Sequence, residues 1–310
     1  AMRVIFMGTP DFAVPSLEAL LTKHEVVLVV TQPDKPKGRG KKMVPTPVKA
    51  CALAHGIPVL QPEKVKEPEF VEQLRSYEPD LIAVTAFGQI LSEPILEMPK
   101  YGCINVHGSL LPKYRGAAPM QWSIIDGEKV TGITTMYMAK GLDSGDMLLK
   151  AEVEITDEDT FATIHDKMAV TGANLLLDTL DQLEAGTLER IPQDHDAATY
   201  APMITKETGH IDWSKNRQDI INLIRGLNPV PAAYTIYEEE VLKIFGAVIS
   251  DVQADDAANG EIVAVVKKGF VVKCGDGCLL ITEVQARGGK RMMTDAYLRG
   301  HAMKEGILLQ

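Results

Sequence analysis

The chain has 310 residues, 45% of them hydrophobic and 24% charged, which is typical of a soluble globular protein large enough for two domains. A formal net charge of −10 argues against a protein that coats nucleic acid with its whole surface, but it leaves room for a local basic site. No apolar run is long enough for a signal peptide or approaches the roughly 18 residues of a spanning helix, so we expect a cytoplasmic protein.

The first half of the chain alternates between two kinds of segment. Short runs rich in Val and Ile predict strands, at residues 3–7, 25–31, 57–60, 80–85, 102–106, 131–138 and 147–154. Helix-like segments lie between them, at residues 12–21, 46–55 and 67–77. Apolar strands separated by helices are typical of an α/β fold with an open, mostly parallel, doubly wound sheet.

A long amphipathic helix is expected over residues 159–185, ended by Gly186. After it, the alternation of strand and helix signals stops. A polar stretch to about residue 205 is interpreted as a linker, and residues 217–225 as a short helix. Five short strand signals separated by turns then predict a small carboxyl-terminal OB-like β-barrel. These signals lie at residues 234–237, 241–249, 260–266, 270–274 and 279–285. We therefore divide the chain into domains at 1–205 and 206–310.

Motifs for common cofactors are incomplete. Gly8 follows the first strand, where a dinucleotide-binding fold has G-x-G-x-x-G, but the later glycines are missing. The stretch beginning at Gly38 lacks the partner glycine and the Ser or Thr of a P-loop. Cys274 and Cys278 have no second Cys or His pair nearby, which favours two buried thiols on a strand-turn-strand over a zinc site. We expect no metal.

One group of polar residues does indicate a site. Asn105 and His107 lie two residues apart at the end of a strand, so both side chains point to one face. Ligands bind beyond the carboxyl ends of the strands in open α/β sheets. The glycine-flanked loop at residues 140–146 carries two carboxylates, Asp143 and Asp146, and we expect an acid of this loop within reach of the imidazole. Ser109 leaves a Ser–His couple open as an alternative, although no G-x-S-x-G is present.

The neighbouring predicted strand ends in Ala86-Phe87-Gly88, a turn that lets a flat ligand approach the backbone. We therefore include Phe87 and Gly88 in the predicted ligand site.

Four stretches together resemble the folate-dependent formyltransferases. They are the strand with Asn105-Val-His107, the run Ser109-Leu-Leu-Pro112, then Arg115-Gly-Ala-Ala-Pro119, and the loop Gly141-Leu-Asp-Ser-Gly-Asp146. The resemblance implies a Rossmann-like fold variant, 10-formyltetrahydrofolate as formyl donor and co-substrate, and no metal. It implies that Asn105, His107 and Asp143 are catalytic. It assigns Ser109, Leu110, Leu111 and Pro112 to folate binding.

Three further features are similar to the branch of that family that acts on methionyl-tRNA. They are the amino-terminal stretch after Gly8, the basic segment at residues 32–42 and the expected barrel. This implies formyl transfer to the α-amino group of methionyl initiator tRNA, without a covalent enzyme intermediate, in support of translation initiation. Departures from the pattern are small: Lys35 replaces the usual Arg, Ser144 a Thr, and Val230 a Trp.

The basic segment contains no acidic residue from Lys35 to Lys49. Charge runs are usually solvated faces, but glycine and proline breaks in an acidic protein favour an arm that meets phosphate. We predict that Lys37, Arg39, Lys41 and Lys42 bind tRNA, and that like-charge repulsion leaves the arm poorly ordered without RNA.

Two alternatives remain. The same catalytic core could formylate glycinamide ribonucleotide or an amino sugar, although neither small substrate accounts for the basic arm or for residues 206–310. The chain could also be an RNA-binding protein with a decayed core, against which the presence of Asn105, His107 and Asp143 argues.

Overall fold

A computed structural model describes residues 1–310, which form two compact units. Unit 1 contains Ala1–Gly116, Val130–Glu154 and His165–Ala201. Unit 2 contains Ala117–Lys129, Ile155–Ile164 and Pro202–Gln310. Because two short early segments belong to unit 2, the units do not follow chain order, and a domain division at residue 205 stays a prediction.

The strands and helices have the following bounds. The strands are β1 (Arg3–Gly8), β2 (Glu25–Val30), β3 (Lys35–Lys37), β4 (Lys42–Val44), β5 (Val59–Leu60), β6 (Leu81–Thr85), β7 (Cys103–His107), β8 (Arg115–Gly116), β9 (Val130–Tyr137), β10 (Met147–Glu154), β11 (Tyr200–Ala201), β12 (Ala233–Tyr237), β13 (Glu240–Ser250), β14 (Ile262–Val266), β15 (Gly269–Cys274), β16 (Gly277–Ala286) and β17 (Met292–Met293). The α-helices are α1 (Val14–Lys23), α2 (Pro47–Ala54), α3 (Pro68–Ser76), α4 (Glu93–Glu97), α5 (Pro119–Ile125), α6 (Phe161–Ala185), α7 (Arg217–Gly226) and α8 (Thr294–Gly300).

The central sheet of unit 1 has the strand order β10-β9-β7-β6-β1-β2-β5. Strands β7, β6, β1, β2 and β5 are parallel, whereas β9 and β10 pair antiparallel at one edge. All five residues of β6 are buried, as its continuous apolar run predicts. The expected open, mostly parallel sheet is confirmed.

Helices cover both faces of this sheet. On one face Phe70 and Leu74 of α3 pack with Ile82 and Cys103 in one apolar cluster. On the other face α6 lies so close to β7 that a Cβ at Gly172 would lie 3.0 Å from the Val106 side chain. Since successive residues of a strand alternate between faces, Cys103 shares its face with Asn105 and His107.

Unit 2 contains an antiparallel sheet of order β12-β13-β16-β15-β14, with β17 paired to β16. The last five residues join its two edge strands. Gln310 exchanges backbone hydrogen bonds with Ile236 of β12, while Ile262 of β14 donates to the Ile307 carbonyl. The carboxyl-terminal segment thereby closes the sheet into a barrel, and the five strands predicted from turn spacing are confirmed.

The Cys274 and Cys278 thiols lie at the β15–β16 turn, both fully buried and free. Burial raises the pKa of Cys274 to about 12, which keeps this thiol protonated at neutral pH. The prediction of two buried thiols on a strand-turn-strand is confirmed. No helix of the chain is both long enough and apolar enough to cross a lipid bilayer.

The barrel closure predicts different costs for two adjacent leucines. Leu309 is 3% exposed and packs in the unit 2 core, whereas Leu308 is 47% exposed. We expect Leu309→Ala to lower the free energy of unfolding by about 2–4 kcal/mol, because it leaves a cavity beside the closing hydrogen bonds. Leu308→Ala should cost less than about 0.5 kcal/mol. Urea unfolding of both variants measures the difference, and equal costs would contradict closure by this segment.

Candidate active site

Asn105 and His107 lie at the carboxyl end of β7, at the sheet edge where the parallel neighbour β6 also ends. Both side chains point to one face, as their spacing predicts. Asn105 is half-buried, and its carboxamide makes no hydrogen bond within the chain. The site therefore presents a free amide donor and acceptor beside the imidazole.

The His107 imidazole is held by a backbone carbonyl. Its Nε2 lies 2.9 Å from the Tyr114 carbonyl oxygen, and the ring is only 7% exposed. Because a carbonyl oxygen can only accept, Nε2 carries a proton in both the neutral and the charged ring. Nδ1 is therefore the nitrogen that gains or loses a proton.

Asp143 faces that nitrogen from the loop between β9 and β10. Its Oδ2 lies 3.6 Å from His107 Nδ1, longer than a hydrogen bond but within ion-pair range. The same oxygen accepts a hydrogen bond of 2.8 Å from the Gly116 amide. Asp143 has a φ of 49°, in the left-handed region that Asp tolerates better than most residues. The structure thus brings together the three residues predicted as catalytic.

The segment Tyr114–Gly116 fixes both titratable groups at once. Its strand β8 pairs in parallel with β11, and the Arg115 amide donates to the Thr199 carbonyl at 2.9 Å. The Tyr114 amide donates to Thr199 Oγ1 at 2.8 Å. The stretch interpreted from sequence as a linker therefore packs against the site.

Two residues of this neighbourhood were not predicted as part of the site. Arg115 is buried, and its Nε and Nη2 donate to Gln193 Oε1 at 3.1 and 2.8 Å. Gln193 Nε2 donates to the carbonyl oxygens of Asp143 and Gly145, both at 2.8 Å. Arg115 belongs to the stretch Arg115–Pro119, one of the four that resemble the formyltransferases, so its role could have been predicted from that resemblance. Gln193 lies in the polar stretch, where no pattern distinguishes it.

The turn at Ser109–Pro112 is held by its own hydrogen bonds. Ser109 Oγ donates to the Lys113 carbonyl at 2.6 Å. Thr134 Oγ1 accepts from the Leu111 amide and donates to the Ser109 carbonyl. The Ser109 hydroxyl is therefore committed within the turn, and both ring nitrogens of His107 face other groups, so no Ser–His couple forms. Leu111 is fully buried, while Leu110 and Pro112 are half-buried.

Past the end of β6 the backbone is exposed at Ala86 and Gly88, which have φ values of 48° and 102°. The Phe87 side chain points inward and packs in the apolar core, and its carbonyl accepts from Thr9 Oγ1 at 2.6 Å. A ligand at this edge meets backbone rather than the Phe87 ring. Phe87 and Gly88 remain predicted ligand-binding residues through their main chain.

The basic segment forms a two-stranded antiparallel hairpin of β3 and β4, which we call the basic hairpin. Ladder pairing and a turn at Gly38 (φ 77°) give it regular secondary structure, and its poor ordering without RNA stays a prediction. Lys37, Arg39, Lys41 and Lys42 are all exposed on it.

Lys49 has a different place from the other basic residues. Its Nζ pairs with Asp34 Oδ2 at 3.0 Å at the base of the hairpin. The hydrogen bond from Gln61 and then that from Lys49 lower the pKa of Asp34. No three His, Cys, Asp or Glu residues of the chain are grouped so that they could hold a metal ion.

Residues 2–180 match the formyl transferase family, and residues 203–302 match the formyl transferase carboxyl-terminal domain. A curated methionyl-tRNA formyltransferase of Acetivibrio thermocellus is 54% identical over 309 residues, covering 99% of both chains.

Two solved structures share the fold at low identity. HypX from Aquifex aeolicus in complex with tetrahydrofolic acid has a TM-score of 0.66 and 18% identity over 96% of this chain, which spans 47% of that longer protein. The N-formyltransferase of Helicobacter canadensis in complex with folinic acid and dTDP-3-aminofucose has a TM-score of 0.66 and 19% identity, covering 94% of this chain and all of that one. With a family match over most of its length and a close full-length relative, this chain belongs to the formyl transferase family.

Proposed function

We propose that this chain transfers the formyl group of 10-formyltetrahydrofolate to the α-amino group of methionyl initiator tRNA, supporting translation initiation in the cytoplasm. The observation that carries the proposal is the unpartnered Asn105 carboxamide beside an imidazole whose titrating nitrogen faces Asp143. This arrangement suits direct attack of an amine on a formyl carbon. No covalent enzyme intermediate is needed.

Asn105 is the proposed donor to the oxyanion. Attack of a neutral amine on the formyl carbon converts the carbonyl into a tetrahedral centre with negative charge on oxygen. A side-chain N–H aimed at that oxygen stabilises the transition state by about 3 kcal/mol. Because the Asn105 carboxamide makes no hydrogen bond within the chain, no bond has to break before it serves this role.

His107 and Asp143 are the proposed proton carriers. The attacking nitrogen must lose a proton, and the folate nitrogen must gain one as it leaves. Since Nε2 is committed to the Tyr114 carbonyl, protons enter and leave the ring at Nδ1, on the side of Asp143. A carboxylate there stabilises the charged ring and relays the proton directly or through water.

Folate is proposed to bind along the same sheet edge. The candidate contacts are the backbone of Phe87 and Gly88 and the turn from Ser109 to Pro112, including Leu110 and Leu111. The internal hydrogen bonds of that turn keep its shape before a ligand arrives, which lowers the entropy lost on binding. As the resemblance to the formyltransferases implies, we propose that the reaction uses no metal ion.

The basic hairpin is the proposed tRNA contact of unit 1. Lys37 and Lys42 are paired directly across its two strands, and like charges in that position destabilise the hairpin. Phosphate binding would relieve this repulsion and release counterions from the RNA. The carboxyl-terminal barrel of unit 2 is proposed as a second RNA-binding platform, as the similarity to methionyl-tRNA formyltransferases implies.

Amino sugars and glycinamide ribonucleotide are the alternative acceptors. The Helicobacter canadensis protein that shares this fold was solved with an amino sugar nucleotide, but at 19% identity it supports the fold alone. The full-length relative at 54% identity favours methionyl-tRNA.

The discriminating experiment compares formyl transfer from 10-formyltetrahydrofolate to initiator methionyl-tRNA, glycinamide ribonucleotide and dTDP-3-aminofucose. We expect turnover only with the tRNA. Faster transfer to either small amine would overturn the choice of acceptor, and RNA binding without any transfer would indicate a decayed core.

We expect Asn105→Ala and His107→Ala each to lower kcat by about a hundredfold or more, because each removes transition-state stabilisation. Circular dichroism and thermal unfolding check that both variants fold. A near-normal kcat in a folded variant would refute the assignment of that residue.

Asp143→Asn removes the negative charge of the carboxylate while keeping the size and shape of the side chain. The amide has nearly the same size but carries no negative charge to stabilise a protonated ring. We expect folate binding to persist while most of kcat is lost and the pH–rate profile changes shape. Calorimetry measures folate binding, and single-turnover rates across the pH range give the pH–rate profile. A profile with the same shape and the same maximal rate as the parent would count against a role of Asp143 in proton transfer.

We expect Arg39→Ala to reduce kcat/KM for initiator methionyl-tRNA by about tenfold, or 1.4 kcal/mol, with folate affinity unchanged. The planar guanidinium of Arg can bind phosphate with two parallel hydrogen bonds or stack on a base, and the ammonium group of Lys can do neither. Arg75→Ala removes an exposed charge from α3 of the same unit and serves as the matched control. If both variants match the parent in 150 mM salt, near physiological ionic strength, the basic hairpin is only a solvated surface.

A further inference from the structure

We infer that Gln193 is a positioning residue, which holds the Asp143 loop against His107 and is itself anchored by Arg115. The inference rests on the proposed function, because it assigns Gln193 a role in the same proton-transfer site. It gives the segment between α6 and β11 a part in the chemistry, beyond connecting two regions of the chain.

Gln193 stands out by its burial. It is 6% exposed, and every other residue from Glu189 to Tyr200 is exposed except the half-buried Ala198. A polar side chain buried alone in an exposed segment requires hydrogen-bond partners, since an unsatisfied buried amide costs roughly 1–3 kcal/mol. Gln193 has four such bonds, two at each end of its carboxamide.

The donor end of Gln193 fixes the loop that carries Asp143. Its Nε2 binds the carbonyl oxygens of Asp143 and Gly145 at 2.8 Å each, one on either side of Ser144. The Gly116 amide holds the Asp143 carboxylate from another direction. Main chain and side chain of Asp143 are therefore restrained separately, and the 3.6 Å separation from His107 depends on both restraints.

The acceptor end of Gln193 is fixed in turn by a buried guanidinium. Arg115 donates two hydrogen bonds to Gln193 Oε1, and its Nη2 lies 2.9 Å from His195 Nδ1. Because Arg115 lies between Tyr114 and Gly116, the anchor belongs to the same segment, Tyr114–Gly116, whose backbone orients His107 and Asp143. This one short segment thus fixes the positions of the imidazole, the carboxylate and the Asp143 loop relative to each other.

The chemistry requires a carboxamide at position 193. A primary amide supplies two N–H donors for the two carbonyls and an oxygen for the guanidinium. A glutamate keeps the acceptor for Arg115 but directs oxygen lone pairs at the carbonyls of Asp143 and Gly145. A methionine of similar length supplies neither set of bonds.

The experiment uses the full chain with Gln193→Glu and Gln193→Met. We expect each to lower kcat for initiator methionyl-tRNA by about tenfold or more, with KM for both substrates within about twofold, because misplaced catalytic groups affect turnover more than binding. Gln73→Glu makes the same change at an exposed position of α3 and should leave kcat within about twofold of the parent. Unchanged turnover in folded Gln193→Glu would overturn the inference.

A double-mutant cycle separates positioning from general destabilisation. If Gln193 acts through Asp143, Gln193→Glu should cost less than about twofold further in the Asp143→Asn background, because the group it positions is already disabled. A full additional loss in that background would show that Gln193 acts elsewhere. The pH–rate profile of Gln193→Glu should change in the same sense as that of Asp143→Asn.

Hydrogen exchange provides a readout that does not depend on the acceptor. The amides of residues 141–146 should exchange faster in Gln193→Glu than in the parent or in Gln73→Glu, because the loop has lost its anchor. Identical exchange would overturn the inference even if activity fell. If the parent itself fails to formylate methionyl-tRNA, the proposed function fails, whereas faster exchange would still support the anchoring of the loop.

Discussion

The geometry of the site depends on two backbone groups that lie two residues apart, the Tyr114 carbonyl and the Gly116 amide. The first decides which nitrogen of His107 carries a fixed proton, and the second holds the carboxylate of Asp143. Both belong to one strand-like segment, so a shift of that segment moves the imidazole and the carboxylate together. Backbone groups also keep their chemistry when neighbouring side chains change, which makes the arrangement robust to substitution.

Much of this arrangement could be predicted from sequence because it follows from local rules. The i, i+2 spacing of Asn105 and His107 sets their common face, and parallel strands bring their carboxyl ends to one edge. The contribution of Gln193 could not be predicted, because its hydrogen bond to Asp143 spans 50 residues and produces no periodic pattern in the sequence. The short helices α4, α5 and α8 were missed for a related reason, since one or two turns carry too little periodicity.

The basic hairpin brings like charges together on two paired strands. Glycines and prolines that prevent a stable helix, together with like charges at residues 35, 37, 39, 41 and 42, predict an arm that is poorly ordered without RNA. Cross-strand charge pairs are worth only about 0.2–1 kcal/mol, however, and screening by salt weakens exposed pairs further. Backbone pairing and a glycine turn outweigh a penalty of that size, so the basic residues lie on a regular two-stranded hairpin.

The basic hairpin and the rest of the chain carry opposite net charges. With a net charge of −10, the protein as a whole repels an RNA backbone, while five of the eight residues from 35 to 42 are basic. At physiological salt the Debye length is about 8 Å, so an approaching tRNA responds to charges near its point of contact more than to the net charge. Approach at the hairpin is thus attractive while approach at acidic surfaces is not. If the basic hairpin contacts tRNA as proposed, charge contrast of this kind would favour one orientation of encounter before any specific contact forms, and more strongly than a uniformly basic surface would.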